Sequence, residues 1–139
     1  METALALYDL DKNPDMEIVE YSSDEEWLAE RKKGIGGSDA AAVLGMSKYK
    51  SPLQLYKTKE GEVSEDLSDN VFVRKGKDLE ALIRNVYVKP FVESMGYRLH
   101  HPDFMFVNKR VPWLRANCDG IAVPVNRPYN YTDNLVIEI

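Results

Sequence analysis

Short apolar runs with helical spacing, each bounded by capping residues, fill the first two thirds of the chain. Ser23-x-x-Glu26 is a capping box ahead of "EEWLAERKK" and predicts a helix over 24–33, stopped by Gly34. Ser38 is placed to cap a short helix over "DAAAVL", ended by Gly45. Ser51-Pro52 pairs a capping serine with a proline at the first helical position, and "PLQLYKTKE" then runs to Gly61. "EGEVSEDLSDN" reads as a polar connector. From Val71 to Met95, Leu79, Leu82, Ile83, Val86 and Tyr87 again recur with helical spacing, with a kink expected at Pro90. The period then changes. "YRLHHPDFMFVN" (97–108), "WLRANCDGIAVP" (113–124) and "LVIEI" (135–139) read as strands separated by Pro and Asn turns. Helices followed by strands predict a mixed α/β (α+β) domain, and no internal repeat appears.

Composition narrows the class without changing this picture. A chain of 139 residues, 44% hydrophobic and 29% charged, suits one globular domain with a sizeable core. No apolar run approaches the ~20 residues of a membrane span, and the acidic N-terminus does not read as a signal peptide. The lone Cys118 excludes an internal disulfide framework and points to a reducing, cytoplasmic setting.

Charge changes the picture more. The net −5 hides ten acids against Lys12 alone in residues 1–30, and 17 bases against 13 acids afterwards. Residues 31–59 carry seven bases and one acid, Asp39. The chain therefore divides into an acidic arm, 1–22, and a domain over 23–139 whose front is basic.

Two groups of residues are candidates for chemistry. In "GIGGSDAAAVLG" (34–45), backbone N–H groups running into a helix N-terminus attract an anion, above all phosphate. Ser38 adds a hydroxyl, and Arg31 stands seven residues earlier. The plainer alternative is a tight turn between close-packed helices. The second group is three carboxylates: Glu80 beside a helical apolar face, Asp119 before Gly120, and Glu138 inside an apolar run. Together they suit Mg²⁺, a hard ion with oxygen ligands. Singly, Glu80 has Arg84 as an i,i+4 partner, Asp119-Gly120 fits a turn, and Glu138 fits a solvent-facing strand position. A zinc or redox site on His100, His101 and Cys118 is disfavoured, because adjacent strand histidines point to opposite faces.

The order of these pieces resembles the YqaJ-like viral recombinase family, relatives of lambda exonuclease in the PD-(D/E)xK nuclease superfamily. The matching segments are "RKKGIGGSDAAAVLGMSKYKSPLQLY" (31–56), "GKDLEALIRNVY" (76–87), "VPWLRANCDGIAV" (111–123) and "LVIEI" (135–139), so the resemblance spans 27–139. It implies a restriction-endonuclease-like core and a phage- or prophage-type, Mg²⁺- or Mn²⁺-dependent DNA exonuclease acting in recombination. Arg31, Gly36, Gly37, Ser38 and Asn117 would hold DNA phosphate, the terminal 5′-phosphate above all. Glu80, Asp119 and Glu138 would surround the metal as catalytic carboxylates, with the Ile139 carbonyl as a further ligand. The implied partners are linear duplex DNA and a recombinase or annealing protein; a homo-oligomer stays open, and no membrane is involved.

The family's last motif is Glu-x-Lys, and the sequence stops one residue before that lysine. The expectation is a fragment or shortened form that lacks the C-terminal part of the core, with weak or no cutting by the 139 residues alone. The competing reading is an inactive DNA- or protein-binding module on a nuclease scaffold, an inhibitor or recombination accessory.

Overall fold

The computed structural model describes residues 13–63, 71–126 and 133–139. Residues 1–12 of the expected arm, most of the polar connector and the turn over 127–132 lie outside the described residues. The fold is mixed α/β with two three-stranded antiparallel sheets, and the chain divides into two units.

The first unit takes residues 13–63 and 103–117. It opens with a strand, β1 (Met16–Glu20), which pairs with β3 (Phe104–Asn108) from Met16 opposite Asn108 to Glu20 opposite Phe104. The arm proposed over 1–22 therefore contains a structural strand. Its acids conceal a short apolar strand, in which Met16, Ile18 and Val19 are half-buried while Glu17 and Glu20 are exposed. β3 also pairs with the two-residue β4 (Arg115–Ala116). Its core comes from Phe104, Met105 and Val107, with Ala42 and Leu55 from the helices. Phe104 and Phe106 meet edge-to-face at 5.2 Å.

Local signals set the helices of this unit. In α1 (Asp24–Lys32), Ser23 accepts from the Glu26 N–H at 3.2 Å. The Glu26 carboxylate reaches back to Ser22 N and Oγ, 2.7 and 2.8 Å away. A 3₁₀ turn, Gly37–Asp39, leads into a single turn of helix, α2 (Ala40–Val43). In α3 (Pro52–Glu60), Ser51 and Gln54 complete a reciprocal capping box, and Gly61 closes the helix at φ +81°.

The second unit takes residues 71–102, 118–126 and 133–139. The expected helix over 71–95 is present in three parts: α4 (Val71–Ile83), a π turn over Arg84–Val88, and α5 (Lys89–Ser94). The distortion precedes Pro90, where the Lys89 N–H donates to the Arg84 carbonyl five residues back. Proline cannot supply the next i→i−4 bond, so the wide turn absorbs the defect. Val92 of α5 is buried, whereas Leu79 and Leu82 of α4 are exposed, so the apolar α4 face has no cover among the described residues.

β5 (Gly120–Pro124) is central, between β2 (Tyr97–His100) and β6 (Leu135–Ile137), and all five of its residues are buried. Gly120 lets the strands approach closely: a Cβ there would lie 3.0 Å from Leu99 Cδ1 and 3.4 Å from Ile137 Cβ, so a side chain would press on both neighbours. The Asp119-Gly120 pair is thus a strand entrance and not a turn.

The runs 97–108 and 113–124 each divide between the two sheets. The chain leaves β2 at His101-Pro102 and β4 at Asn117–Asp119. A period-2 pattern continues unchanged across such a switch, so the sequence alone shows one strand where the fold has two.

Candidate functional site

The glycine-rich loop belongs to the first unit. Gly34 has a local structural reason: its Cβ would sit 2.4 Å from the Trp113 carbonyl oxygen. Close approach lets Ile35 donate to that oxygen at 2.6 Å and accept from Arg115 N at 3.0 Å. Gly37 is different, since a Cβ there meets nothing within 4 Å. The fold does not need that glycine for packing, and its bare backbone is open to a ligand.

Ser38 does not cap the helix that follows. It lies within the 3₁₀ turn, and its Oγ accepts from Arg31 Nη2 at 2.9 Å. The cap position falls to Asp39, which makes no side-chain cap bond to α2. With one turn of helix, α2 has few aligned peptide dipoles, so the expected helix-terminus attraction contributes little. The polar side chains left at the loop are the Arg31 guanidinium and the Ser38 hydroxyl, already bonded to each other. The Arg31 guanidinium also lies 4.8 Å from the centre of the Trp27 ring, a cation–π contact.

Asp39 and Lys59 complete the neighbourhood. Asp39 is only 7% exposed, and its Oδ2 accepts from Lys59 Nζ at 2.7 Å and from Gly36 N at 3.1 Å. Burial alone pushes the Asp39 carboxyl up. The Lys59 and Gly36 hydrogen bonds, with the charges of Lys59 and Arg31, outweigh it and hold the group below its ordinary value. Lys59 Nζ also donates to the Arg31 carbonyl at 2.8 Å. A cleft of about 110 Å³ is lined by Arg31, Lys32, Asp39, Thr58 and Lys59, together with Leu28 and Leu55. Sequence reading counted Asp39 and Lys59 only as charges; their 20-residue separation carries no local signal.

Asn117 is also in the first unit. Its Nδ2 donates to Tyr21 Oη at 3.1 Å and to the Phe104 carbonyl at 3.2 Å. The donors that a phosphate needs are engaged in tying β1 and β3 to the chain after β4.

The carboxylates belong to the second unit. Gly120 pairs with Ile137, so Asp119 and Glu138 stand opposite each other where β5 begins and β6 ends. Asp119 N donates to the Ile137 carbonyl at 3.1 Å, and Ile139 N donates to Asp119 Oδ2 at 2.7 Å. Burial, then the Asp119 charge, raises the Glu138 carboxyl above its ordinary value. Burial and both carboxylates also push the Cys118 thiol up to about 11, which keeps it protonated. Glu80, on α4, accepts from Arg84 in a close i,i+4 ion pair. Among the described residues, no three His, Cys, Asp or Glu side chains gather as a metal site. The structure thus brings Asp119, Glu138 and the Ile139 backbone together and leaves Glu80 with its own partner.

Among the described residues, no lysine or arginine pairs with Asp119 or Glu138. Two adjacent carboxylates with no lysine or arginine partner among the described residues offer oxygen donors, the kind a hard divalent cation takes. The donors that would hold such an ion are these two carboxylates and the Ile139 carbonyl, one side chain short of a three-carboxylate site among the described residues.

Comparison with known proteins gives a family and one relative. The model of the YqaJ-like viral recombinase domain matches residues 26–139. "Uncharacterized protein YqaJ" of Bacillus subtilis (strain 168) is 36% identical over 103 residues, which cover 73% of this chain and 30% of that protein. The chain thus spans less than a third of the length of this curated relative. No solved structure matches. Among the described residues, no helix is long and apolar enough to cross a membrane.

Proposed function

Because the chain belongs to the YqaJ-like viral recombinase family, we propose that it forms part of a DNA-end nuclease of the phage or prophage recombination type, dependent on Mg²⁺ or Mn²⁺. The observation that carries this reading is the pairing of Asp119 with Glu138 across β5 and β6, free of any lysine or arginine partner among the described residues.

In this reading Asp119, Glu138 and the Ile139 carbonyl hold the ion. When bound, the ion polarises the phosphodiester and lowers the pKa of water. The Ile139 N–H on Asp119 Oδ2 fixes that carboxylate's direction before any ligand arrives. Arg31 and Ser38 receive the terminal 5′-phosphate of a linear duplex, the guanidinium offering a planar fork and the serine its hydroxyl hydrogen. Gly36 and Gly37 leave the backbone accessible beside them. A recombinase or annealing protein is the partner that this activity calls for, in a cytoplasmic host setting.

A second reading has one observation in its favour. Glu80 is engaged by Arg84 and stands outside the Asp119–Glu138 pair, as in a module that binds DNA without cutting it.

The first test is binding of duplexes that differ only at the end. The chain should prefer a 5′-phosphate over a 5′-hydroxyl, and Arg31→Ala should weaken the phosphorylated duplex selectively. Equal losses on both ends exclude the end-phosphate role. The second test is Mg²⁺-dependent nucleotide release by a protein continuing through a lysine after Ile139. Activity abolished by Asp119→Ala supports the nuclease, and release by neither form favours the binding module.

A further inference from the structure

An acidic residue inside an anion-binding loop is a puzzle. Asp39 is the single acid of the segment 31–59 and directly follows Ser38. A lone carboxylate there would repel the phosphate that Ser38 and Arg31 are suited to hold. Lys59 removes the difficulty, because its ammonium sits 2.7 Å from Asp39 Oδ2 with both side chains largely buried.

The same ammonium has a second bond, to the Arg31 carbonyl at 2.8 Å. Arg31 is in the last turn of α1, where backbone carbonyls lack intrahelical partners. Asp39 in turn holds the Gly36 N–H at 3.1 Å and so fixes the start of the 3₁₀ turn that carries Ser38. One buried ion pair therefore joins three pieces: the end of α1, the end of α3 and the glycine turn. Arg31 is fixed at both ends, its backbone by Lys59 and its guanidinium by Ser38 at 2.9 Å.

Resting on the phosphate-end reading above, we infer that Asp39 and Lys59 are positioning residues that hold Arg31 and Ser38 in register for a terminal phosphate. Neither contacts the phosphate in this scheme. A buried ion pair is weak evidence for stability, because desolvation offsets its attraction; its best-attested use is to select one arrangement among several. Here the arrangement is an arginine and a hydroxyl presented together, with the ordering entropy met before the ligand binds.

The test follows the Arg31 side chain directly. In the wild-type chain, its Nε–H should give a distinct, slowly averaging NMR signal without DNA. Lys59→Met should average that signal and lower the ratio of 5′-hydroxyl to 5′-phosphate dissociation constants by roughly tenfold, the scale of immobilising one long side chain. Lys59→Gln serves if the methionine variant does not fold. Combining Asp39→Asn with Lys59→Gln restores a neutral hydrogen-bonded pair and should recover much of the ratio. Val107→Ala, a core truncation in the same unit, should leave the ratio unchanged. An unaltered Arg31 signal in a folded Lys59 variant, or loss of the ratio in Val107→Ala alone, overturns the inference. Wild-type binding that ignores the 5′-phosphate overturns the phosphate-end reading instead, and the Arg31 signal then still decides whether the clamp exists.

Discussion

Gly34 and Gly37 stand three residues apart in one loop, and alanine at each should act on a different property. At position 34 the new Cβ would lie 2.4 Å from the Trp113 oxygen, 2.9 Å from its carbonyl carbon and 2.8 Å from Arg115 Cδ. Arg115 cannot simply swing away, because its Nη1 is bonded to Glu30 Oε2 at 2.9 Å. The backbone must move instead. Overpacking of this kind costs about 1–3 kcal/mol. The shift also strains the two Ile35 bonds, to Trp113 O and from Arg115 N, each contributing about 0.5–1.5 kcal/mol net. A total of roughly 2–6 kcal/mol if both bonds are lost, divided by a urea slope of roughly 2 kcal/mol/M, lowers the unfolding midpoint by roughly 1–3 M.

At position 37 nothing lies within 4 Å, so stability should change by no more than the ~0.5 kcal/mol typical of a surface substitution. Binding to 5′-phosphorylated duplex should nevertheless weaken, since a methyl group then stands where the ligand approaches. Both tryptophans, Trp27 and Trp113, lie in the first unit, so their fluorescence reports this unit selectively. Equal midpoints for Gly34→Ala and Gly37→Ala would refute the steric argument. Unchanged DNA binding in Gly37→Ala would refute the assignment of its open backbone to a ligand.

Three further outcomes are expected. The depressed Asp39 carboxyl makes a contribution complete above its unfolded value near 3.8 and lost as pH falls through the lower folded value; acid unfolding followed by fluorescence should be less steep in Asp39→Asn. Asp119→Asn and Glu138→Gln should each weaken Mn²⁺ binding, read by the paramagnetic resonance of the free ion, and Glu80→Gln should weaken it less, because Glu80 is held by Arg84. Asn117→Ala should cost about 1 kcal/mol in urea unfolding through its lost bonds to Tyr21 and Phe104, without altering the preference between 5′-phosphate and 5′-hydroxyl ends.

What could be read from the sequence was local. Ser23, Ser51, Pro52 and Gly61 act within a few residues of themselves, so α1 and α3 were legible almost to the residue. The juxtaposition of Asp119 and Glu138 followed from the family resemblance and not from either residue alone, since each singly fits a turn or a solvent-facing strand position. Sheet membership was not legible, because pairing is decided by partners elsewhere in the chain. Pro102 and Asn117 mark places where the strand changes sheets, yet each also looks like ordinary loop punctuation. β1 was hidden by the acids around it. A deletion of residues 1–20, most of the stretch read as an acidic arm, would remove that strand as well. The Asp39–Lys59 link was invisible for the same reason as the sheets: neither residue has a local motif that points to the other.

The β1–β3 pairing has a consequence for biosynthesis. Met16 meets Asn108 and Glu20 meets Phe104, so β1 must wait for a strand some 90 residues behind it. At about 5–20 residues per second, a translating ribosome leaves β1 without its partner for roughly 5–20 s. Through that interval Met16, Ile18 and Val19 form an apolar strand with both edges bare. Glu17 and Glu20 interrupt it, and Asp15 precedes it. Like-charge repulsion between such segments on neighbouring nascent chains discourages them from pairing with each other. Asp15, Glu17 and Glu20 thereby oppose self-pairing of the nascent strand until β3 emerges.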